Sequence, residues 1–415
     1  MSRIAYISST FPDYKRCGTG IYAGYITKAL AQQGHEVHVI TSAIPEIKAS
    51  YGQVQVHKII ENWSPLEIAK LVQCFRQIRP EIIHINHPTA IAAGKSKVLV
   101  NLLPEMNRHL WKLPLVTTLH EFGHVSLLGK LKILPMILQS DGLTVTNQRY
   151  AKTIKNFLPK LRRSNVRVID IGPQFNTSLA RGDRHQEREK WKIDDDDKVL
   201  GFMGFMTPPK GFHNLIAALG PLLRKNPKIK ILALSSWNQT SPRYKKEILK
   251  AIDKFDIKSQ VIFSGFLEEE AMWQGLSAMD LCVYPFDYPI EDRSSGPLRQ
   301  SLIHGLPTVT FAEDPNYSEF GLKHDENIWL VKFKDLDAFR NEVTRLLDDK
   351  HLLEKLASGA SQLQNQFSID KVSKLMGHAQ LRETQIYAKI VNEELDKAMD
   401  VFNVPAPQLQ LGSAS

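Results

Sequence analysis

The segment 280–309, DLCVYPFDYPIEDRSSGPLRQSLIHGLPTV, sets an apolar run before a polar loop, then SSG at the head of a short helical stretch that Gly305-Leu306-Pro307 stops. A strand that runs into a Gly- and Ser-bearing loop at a helix N-terminus offers backbone N–H groups and the positive end of the helix dipole, which suits a phosphate. Arg293 adds a charged fork beside Ser294, Ser295 and Gly296. Further loops carry comparable chemistry. STFPDYKRCGTG puts Gly18 and Gly20 at the start of a helix, where backbone can approach a ligand closely, although a tight turn needing positive φ would use glycines too. This is not the dinucleotide fingerprint, which needs a third glycine and a later acidic residue. His120 closes the apolar run PLVTTLH, as a reactive imidazole or as a satisfied loop residue. In GFMTPPKGFHNLIAAL, Lys210 and Gly211 begin a helix after a strand, where the lysine can reach an anion or simply meet solvent.

The elements that must position these residues follow from periodicity. In the first half, apolar runs at 3–8, 36–41, 54–59, 81–85, 114–120, 142–146 and 166–171 predict strands, and several are continuous, as in a sheet covered on both faces. Helical stretches lie between them; Tyr22, Ile26, Ala29 and Leu30 share one face before Gly34. The alternation breaks over 172–198 and restarts with strands at 198–204, 228–235, 260–266, 280–286 and 307–311. Helices follow at 335–348 and 350–366, and a long polar one at 370–399. Two doubly wound α/β domains are expected: 1–175, a linker 176–197, and 198–370, then a helix 371–400 and a disordered tail 401–415. Their strand C-terminal loops would face one cleft.

The 415 residues suit two domains, and 43% hydrophobic with 23% charged residues is ordinary for a soluble protein. No apolar run is long enough to cross a bilayer, and the start of the chain reads as a strand rather than a signal peptide. Cys17, Cys74 and Cys282 lack ligand spacing, which fits a reducing cytosol and argues against a disulfide framework or a zinc site. Asp194–Asp197 would alternate direction in an extended loop and is expected to be a solvated surface, so no metal site is assigned. Residues 1–180 carry 22 basic and 10 acidic side chains, a net of +12, while the remainder has a net of −3. That asymmetry points to an anionic partner for the first half. Lys152, Lys155, Lys160, Arg162, Arg163 and Arg167 around Phe157 and Leu158 make a membrane-surface helix or a basic solvated face. No aromatic-rich basic motif supports nucleic acid.

In order along the chain, GTGIYAGYITKALAQQGHEVHVIT, TLHE, GFMTPPKGFHNLIAAL, VIFSGFLEEEAMWQGLSAMDLCVYPF and SSGPLRQSLIHGLPTV resemble the GT-B glycosyltransferases of the retaining family 4 type, over about residues 1–390. The resemblance implies two Rossmann-like domains, an acceptor domain and a nucleotide-sugar domain, with the last helix crossing back to the first. It implies sugar transfer from a nucleoside diphosphate donor to a glycan or lipid-linked acceptor with retention of configuration, no cofactor and no catalytic metal. A cytoplasmic protein, peripheral on an anionic membrane surface, fits that reading. It carries Gly18 and Gly20 to the donor phosphates, His120 to the reacting centre and Lys210 to the diphosphate. Arg293 with the backbone of Ser294, Ser295 and Gly296 would hold sugar and phosphate, and Gln300 the ribose. The family's Glu-x(7)-Glu becomes Asp292 and Gln300, and Phe205 stands where an arginine is usual. Arg293 beside Asp292 at the reacting centre could restore the missing charge. These departures also fit a second reading, a catalytically degenerate GT-B protein that binds a nucleotide sugar or serves as a partner subunit.

Overall fold

A computed structural model describes residues 2–12, 18–45, 47–87, 98–120, 122, 127–157, 166–168, 179–238, 240–293 and 295–367. The first sheet holds β1 (Arg3–Ser8), β2 (Glu36–Ser42), β3 (Ser50–Tyr51), β4 (Val54–Ile60), β5 (Ile82–His87), β6 (Leu115–Leu119), β7 (Gly142–Val145) and β8 (Val166–Val168). Their order is β3-β4-β2-β1-β5-β6-β7-β8, parallel throughout except for the short β3–β4 pair. Its helices are α1 (Gly18–Gln32), α2 (Ile68–Ile78), α3 (Val98–Met106), α4 (Leu127–Gln139) and α5 (Gln148–Phe157). One face of the sheet packs on α1 through Tyr22, Ile26 and Leu30. The other carries Ala5, Ile7, Ile83 and Ile85 against Leu71, Leu99, Ile133 and Ile154 of the remaining helices. Burial on both faces is why the strands read as continuous apolar runs. The helix face expected from Tyr22, Ile26, Ala29 and Leu30 is buried, and Gly34, at φ +88°, follows the end of α1.

The second sheet is wholly parallel and has six strands, β9 (Lys198–Met203), β10 (Ile229–Leu234), β11 (Val261–Phe263), β12 (Leu281–Tyr284), β13 (Thr308–Ala312) and β14 (Trp329–Lys332), in the order β11-β10-β9-β12-β13-β14. Around it lie α6 (Arg184–Lys190), α7 (Phe212–Lys225), α8 (Pro242–Phe255), α9 (Glu269–Gly275), α10 (Gly296–Ile303), α11 (Leu336–Asp348) and α12 (Lys350–Phe367). A continuous apolar core fills this unit. Strand β14 lies beyond the expected set; its four residues follow a turn and are too few to show a period. The expected helix 371–400 and tail 401–415 lie outside the described residues.

Within the polar stretch 176–197, the described residues 179–197 pack on the second sheet. Arg188 of α6 is 1% exposed, pairs with Asp280 at 2.9 Å and donates to the carbonyls of Ala278, Asp194, Asp195 and Asp197. Trp273 donates its indole N–H to the carbonyl of Leu179 at 2.9 Å. The acidic loop departs from the extended, diverging loop expected of it. Wrapped around the Arg188 guanidinium, Asp194, Asp196 and Asp197 come within 4.8 Å of one another. The Lys228 ammonium already sits on Asp194 at 3.3 Å and Asp196 at 2.9 Å, which accounts for their gathering.

Candidate functional site

Strand order decides where a ligand can lie. In the first sheet the chain winds outward from β1 to β2 and then crosses back to β5, so the order reverses between β1 and β5. In the second it reverses between β9 and β12. A doubly wound sheet opens a crevice at such a point, beyond the strand C-termini. Gly18 follows the loop after β1, Asn86 lies at the C-terminal end of β5 and His120 just after β6, and the segments after β9 and β12 hold Lys210 and residues 285–296. Every candidate therefore falls near a reversal.

The first wall is a hydrogen-bonded unit. Gly18 opens α1, and Thr19 and Gly20 are buried in its first turn, so Gly20 serves a helix start rather than a turn with positive φ. Asn86 donates to Ser8 Oγ at 3.1 Å and to the Thr19 carbonyl at 3.3 Å. That leaves its Oδ1 to accept from His120 Nε2 at 2.7 Å. Tyr22 meets the His120 ring edge-on at 4.7 Å. Burial, then the neighbouring His87 and His84, lowers the His120 pKa to about 3. The imidazole is thus neutral, with the proton on Nε2 and a lone pair on Nδ1, which is buried and has no partner among the described residues. His120 is no loop residue satisfied at both nitrogens. Asn86, the residue that sets its tautomer, was missed from the sequence; an asparagine inside the run IIHINH gives no local signal.

The second wall is cationic and aromatic. Tyr284, Phe286 and Tyr288 alternate along the chain and stack, at 5.4 Å and 17° for the first pair and 5.0 Å and 5° for the second. The ladder starts in the core and ends at Tyr288, where the two candidate cations meet. Lys210 Nζ lies 3.5 Å from the Tyr288 hydroxyl and 5.3 Å from the Phe286 ring centre, and makes no ion pair among the described residues. The Arg293 guanidinium lies 5.3 Å over the Tyr288 ring. Gly211 fixes Lys210: its φ is +74°, and an added Cβ would stand 1.9 Å from the Pro285 carbonyl oxygen. Ser295 stands at the N-cap position of α10 without a side-chain capping bond, Gly296 is the first helical residue, and Gln300 is buried in the same helix with no exposed surface. Ser294 lies outside the described residues. Phe205 follows Gly204, which has φ +127° and would place a Cβ 3.1 Å from the Pro297 ring.

Asp292 behaves differently from its neighbours. It is 8% exposed and its carboxylate pairs with Arg149 in the first turn of α5, in the first domain. Arg149 also pairs with Glu313 at 3.0 Å, and Asn147 donates to the carbonyl of Glu291. Three contacts thus clasp the two domains beside the candidate site. A cleft of about 320 Å³ there is lined by Tyr288, Asp292, Arg293 and Glu313 among others, but not by His120 or Lys210. No hydrogen bond or ion pair among the described residues joins His120 to the second wall. The structure brings Lys210 and Arg293 together at Tyr288, with Asp292 next to Arg293 in the cleft, and keeps Gly18, Gly20 and His120 as a separate set. Arg149 was read only as part of a generally basic half, because its partners lie more than a hundred residues away.

Two doubly wound domains, each with candidate residues at its strand-order reversal, define a GT-B glycosyltransferase architecture. Residues 17–172 match the Glycosyltransferase Family 4 family and residues 183–363 match the family Glycosyl transferases group 1. The chain belongs to this family, whose members are glycosyltransferases with nucleotide-sugar donors. It is 22% identical over 405 residues to an uncharacterized glycosyltransferase of Methanocaldococcus jannaschii, covering 90% of this chain and 96% of that one. Among solved structures, the sucrose-phosphate synthase of Thermosynechococcus elongatus superposes with a TM-score of 0.74 at 18% identity, over 94% of this chain and all of that one. The Anabaena HepE protein in complex with UDP-glucose gives 0.73 at 17% identity, over 92% of this chain and all of that one. The two Rossmann-like sheets of the expected GT-B architecture are thereby established. No helix among the described residues is long and apolar enough to cross a membrane.

Proposed function

We propose that this glycosyltransferase moves a hexosyl or related sugar from a uridine diphosphate donor to a glycan or lipid-linked acceptor, with retention of configuration and without a catalytic metal. The observation that carries this reading is the placement of Lys210 at the hydroxyl of Tyr288 and of Arg293 over its ring, one loop from the N-terminus of α10. Departure of a nucleoside diphosphate builds negative charge, and cations fixed before the reaction stabilise it without reorganising. Two such cations can take the charge-neutralising part that a metal plays elsewhere. The α10 terminus, with Ser294, Ser295 and Gly296, suits a phosphate, while Gln300 offers a neutral amide to a ribose. On the other wall, the Nδ1 lone pair of His120 can accept from a sugar hydroxyl, and the α1 start at Gly18 and Gly20 can face the phosphates. Uridine is chosen because HepE was captured with UDP-glucose.

A thermal-shift series with UDP, GDP and ADP, followed by assignment of the product anomer by NMR, tests this reading. UDP should stabilise most, and the anomer should match that of the donor; a preference for another base or an inverted anomer would overturn the corresponding part. The ion pair that engages Asp292 favours one competing reading, a protein that keeps the nucleotide pocket but no longer turns over. It predicts tight UDP binding with no donor hydrolysis or transfer.

A further inference from the structure

The cleft beside the domain clasp extends past the residues assigned to the diphosphate. It holds about 320 Å³, room for one hexose ring, and is built by the loops after β12, β13 and β14. Tyr288 and Arg293 line it, and so do Phe333 and Lys334, just beyond β14. The two cations are placed alike. The Arg293 guanidinium lies 5.3 Å over the Tyr288 ring, and Lys334 Nζ lies 5.2 Å from the centre of the Phe333 ring. Lys334 is held in the left-handed region at φ +65°, a costly conformation for a residue with a side chain. Bonds on either side keep the turn. The Phe333 N–H donates to the Ala312 carbonyl at 2.8 Å, and the Leu336 N–H to the Lys334 carbonyl at 3.1 Å. This turn carries the lysine to the rim of the cleft, where it is exposed.

The sign of the charge in the cleft is set from the first domain. Asp287, Asp292 and Glu313 line it against Arg293 and Lys334. Arg149 reaches across from α5 and pairs with both Asp292 and Glu313. Asp287 is exposed, and its charge acts on His213 and Tyr244, in α7 and α8. Asp335, next to Lys334, accepts from the Ala338 N–H at 2.9 Å as the cap of α11. Lys334 makes no ion pair among the described residues. With two of its acids neutralised, the cleft presents two cations and two aromatic side chains to whatever enters. A pyranose bearing a carboxylate suits that set: its C–H groups meet the aromatic side chains, and its acid meets the cations. A neutral hexose would leave Lys334 without an opposite charge.

We propose that this cleft is a hexuronate subsite, with the sugar carboxylate received by Lys334 and Arg293. It rests on the proposed function for its neighbour: Arg293 is shared, so a sugar here adjoins the nucleotide, as part of the donor or as the end of the acceptor. Isothermal titration of the full chain distinguishes the two sources. One arm compares UDP-glucuronate with UDP-glucose; the other adds glucuronate or glucose to the chain saturated with UDP. In one of the arms the uronate should bind at least about tenfold more tightly than its neutral counterpart, the size of one charge-assisted contact. A preference in the first arm gives the carboxylate to the donor, and a preference in the second gives it to the acceptor. Lys334→Gln should erase the preference and Lys334→Arg should keep it. Lys332→Gln, on β14 and outside the cleft, should leave it unchanged. No uronate preference in either arm overturns the proposal, as does a preference that survives Lys334→Gln. UDP binding is read throughout, so absence of the preference with UDP still bound is failure of the cleft alone. If UDP itself does not bind, the donor reading fails, and glucuronate against glucose without UDP then decides for the cleft.

Discussion

The two walls of the candidate site use opposite chemistry. On the first, Asn86 and His120 form a neutral network in which the imidazole is stripped of charge by burial and keeps one lone pair. On the second, an aromatic ladder leads out of the core to two cations. A charged imidazole in the first position would compete with the second wall for the phosphates, and burial removes that competition. In the proposed function this difference gives His120 a sugar hydroxyl and the second wall's two cations the diphosphate.

The sharpest way to break this division is Lys210→Ala. Turnover should fall about 100- to 1,000-fold, in the range for loss of one transition-state charge donor, with weaker UDP binding. A variant with unchanged kcat and UDP affinity would remove Lys210 from the site. Arg293→Ala should act in the same direction and more weakly, because its charge is delocalised over the guanidinium and directed in part at the Tyr288 ring. Gly211→Ala reaches Lys210 through the backbone: a positive φ and a clash with Pro285 should lower stability by about 3 kcal/mol or more, measured by denaturant unfolding. A normal midpoint would mean that the loop has room to relax.

His120→Ala probes the other wall. Loss of one neutral hydrogen bond should reduce kcat/KM roughly tenfold while leaving UDP affinity intact. Equal losses for UDP and for UDP-sugar would erase the contrast between the walls. Acid should reveal the same burial. His84, His120 and His304 each have a pKa lowered to about 3 from 6.5, chiefly by burial. The unfolded chain therefore binds more protons than the folded one below pH 6.5, and stability falls as pH drops from 6.5 toward 3. Each contributes up to about 1.4 kcal/mol per pH unit in that window, and His120→Gln should shallow the slope of unfolding free energy against pH.

Arg149→Ala should have the smallest effect. Arg149 is 46% exposed on its side chain, so losing its pairs with Asp292 and Glu313 should cost about 1 kcal/mol or less. Its more telling readout is the domain clasp: a higher kcat with a lower Tm would mark the pair as a restraint on opening, whereas loss of kcat would mark Arg149 as positioning Asp292 for the reaction.

Much of the fold was legible because continuous apolar runs bounded by polar loops are a local signal. The expected strands at 3–8, 36–41 and 198–204 coincide with β1, β2 and β9 to within a residue. Gly211 and Lys210 were legible as a helix start for the same reason. Asn86 and Arg149 were not, since one has partners 34 to 78 residues away and the other more than a hundred and forty. The acidic loop misled because its shape is set by Arg188, which the four aspartates do not reveal. The basic stretch 150–167 shows its charges but not that Tyr150, Ala151 and Ile154 of α5 are buried in the core; Lys160, Arg162 and Arg163 lie outside the described residues.

By itself, the sequence determined the doubly wound class, its two successive sheets and the ordered motifs of the family, because each depends on residues a few positions apart. Only the tertiary structure decided the strand order, which puts the loops after β1 and β5, and after β9 and β12, at the two crevices. It also decided that His120 is neutral, since its pKa depends on burial and on neighbouring histidines that adjacent strands bring together. Proton affinity and crevice position are set by what surrounds a residue in space, and the linear chain does not contain that surrounding.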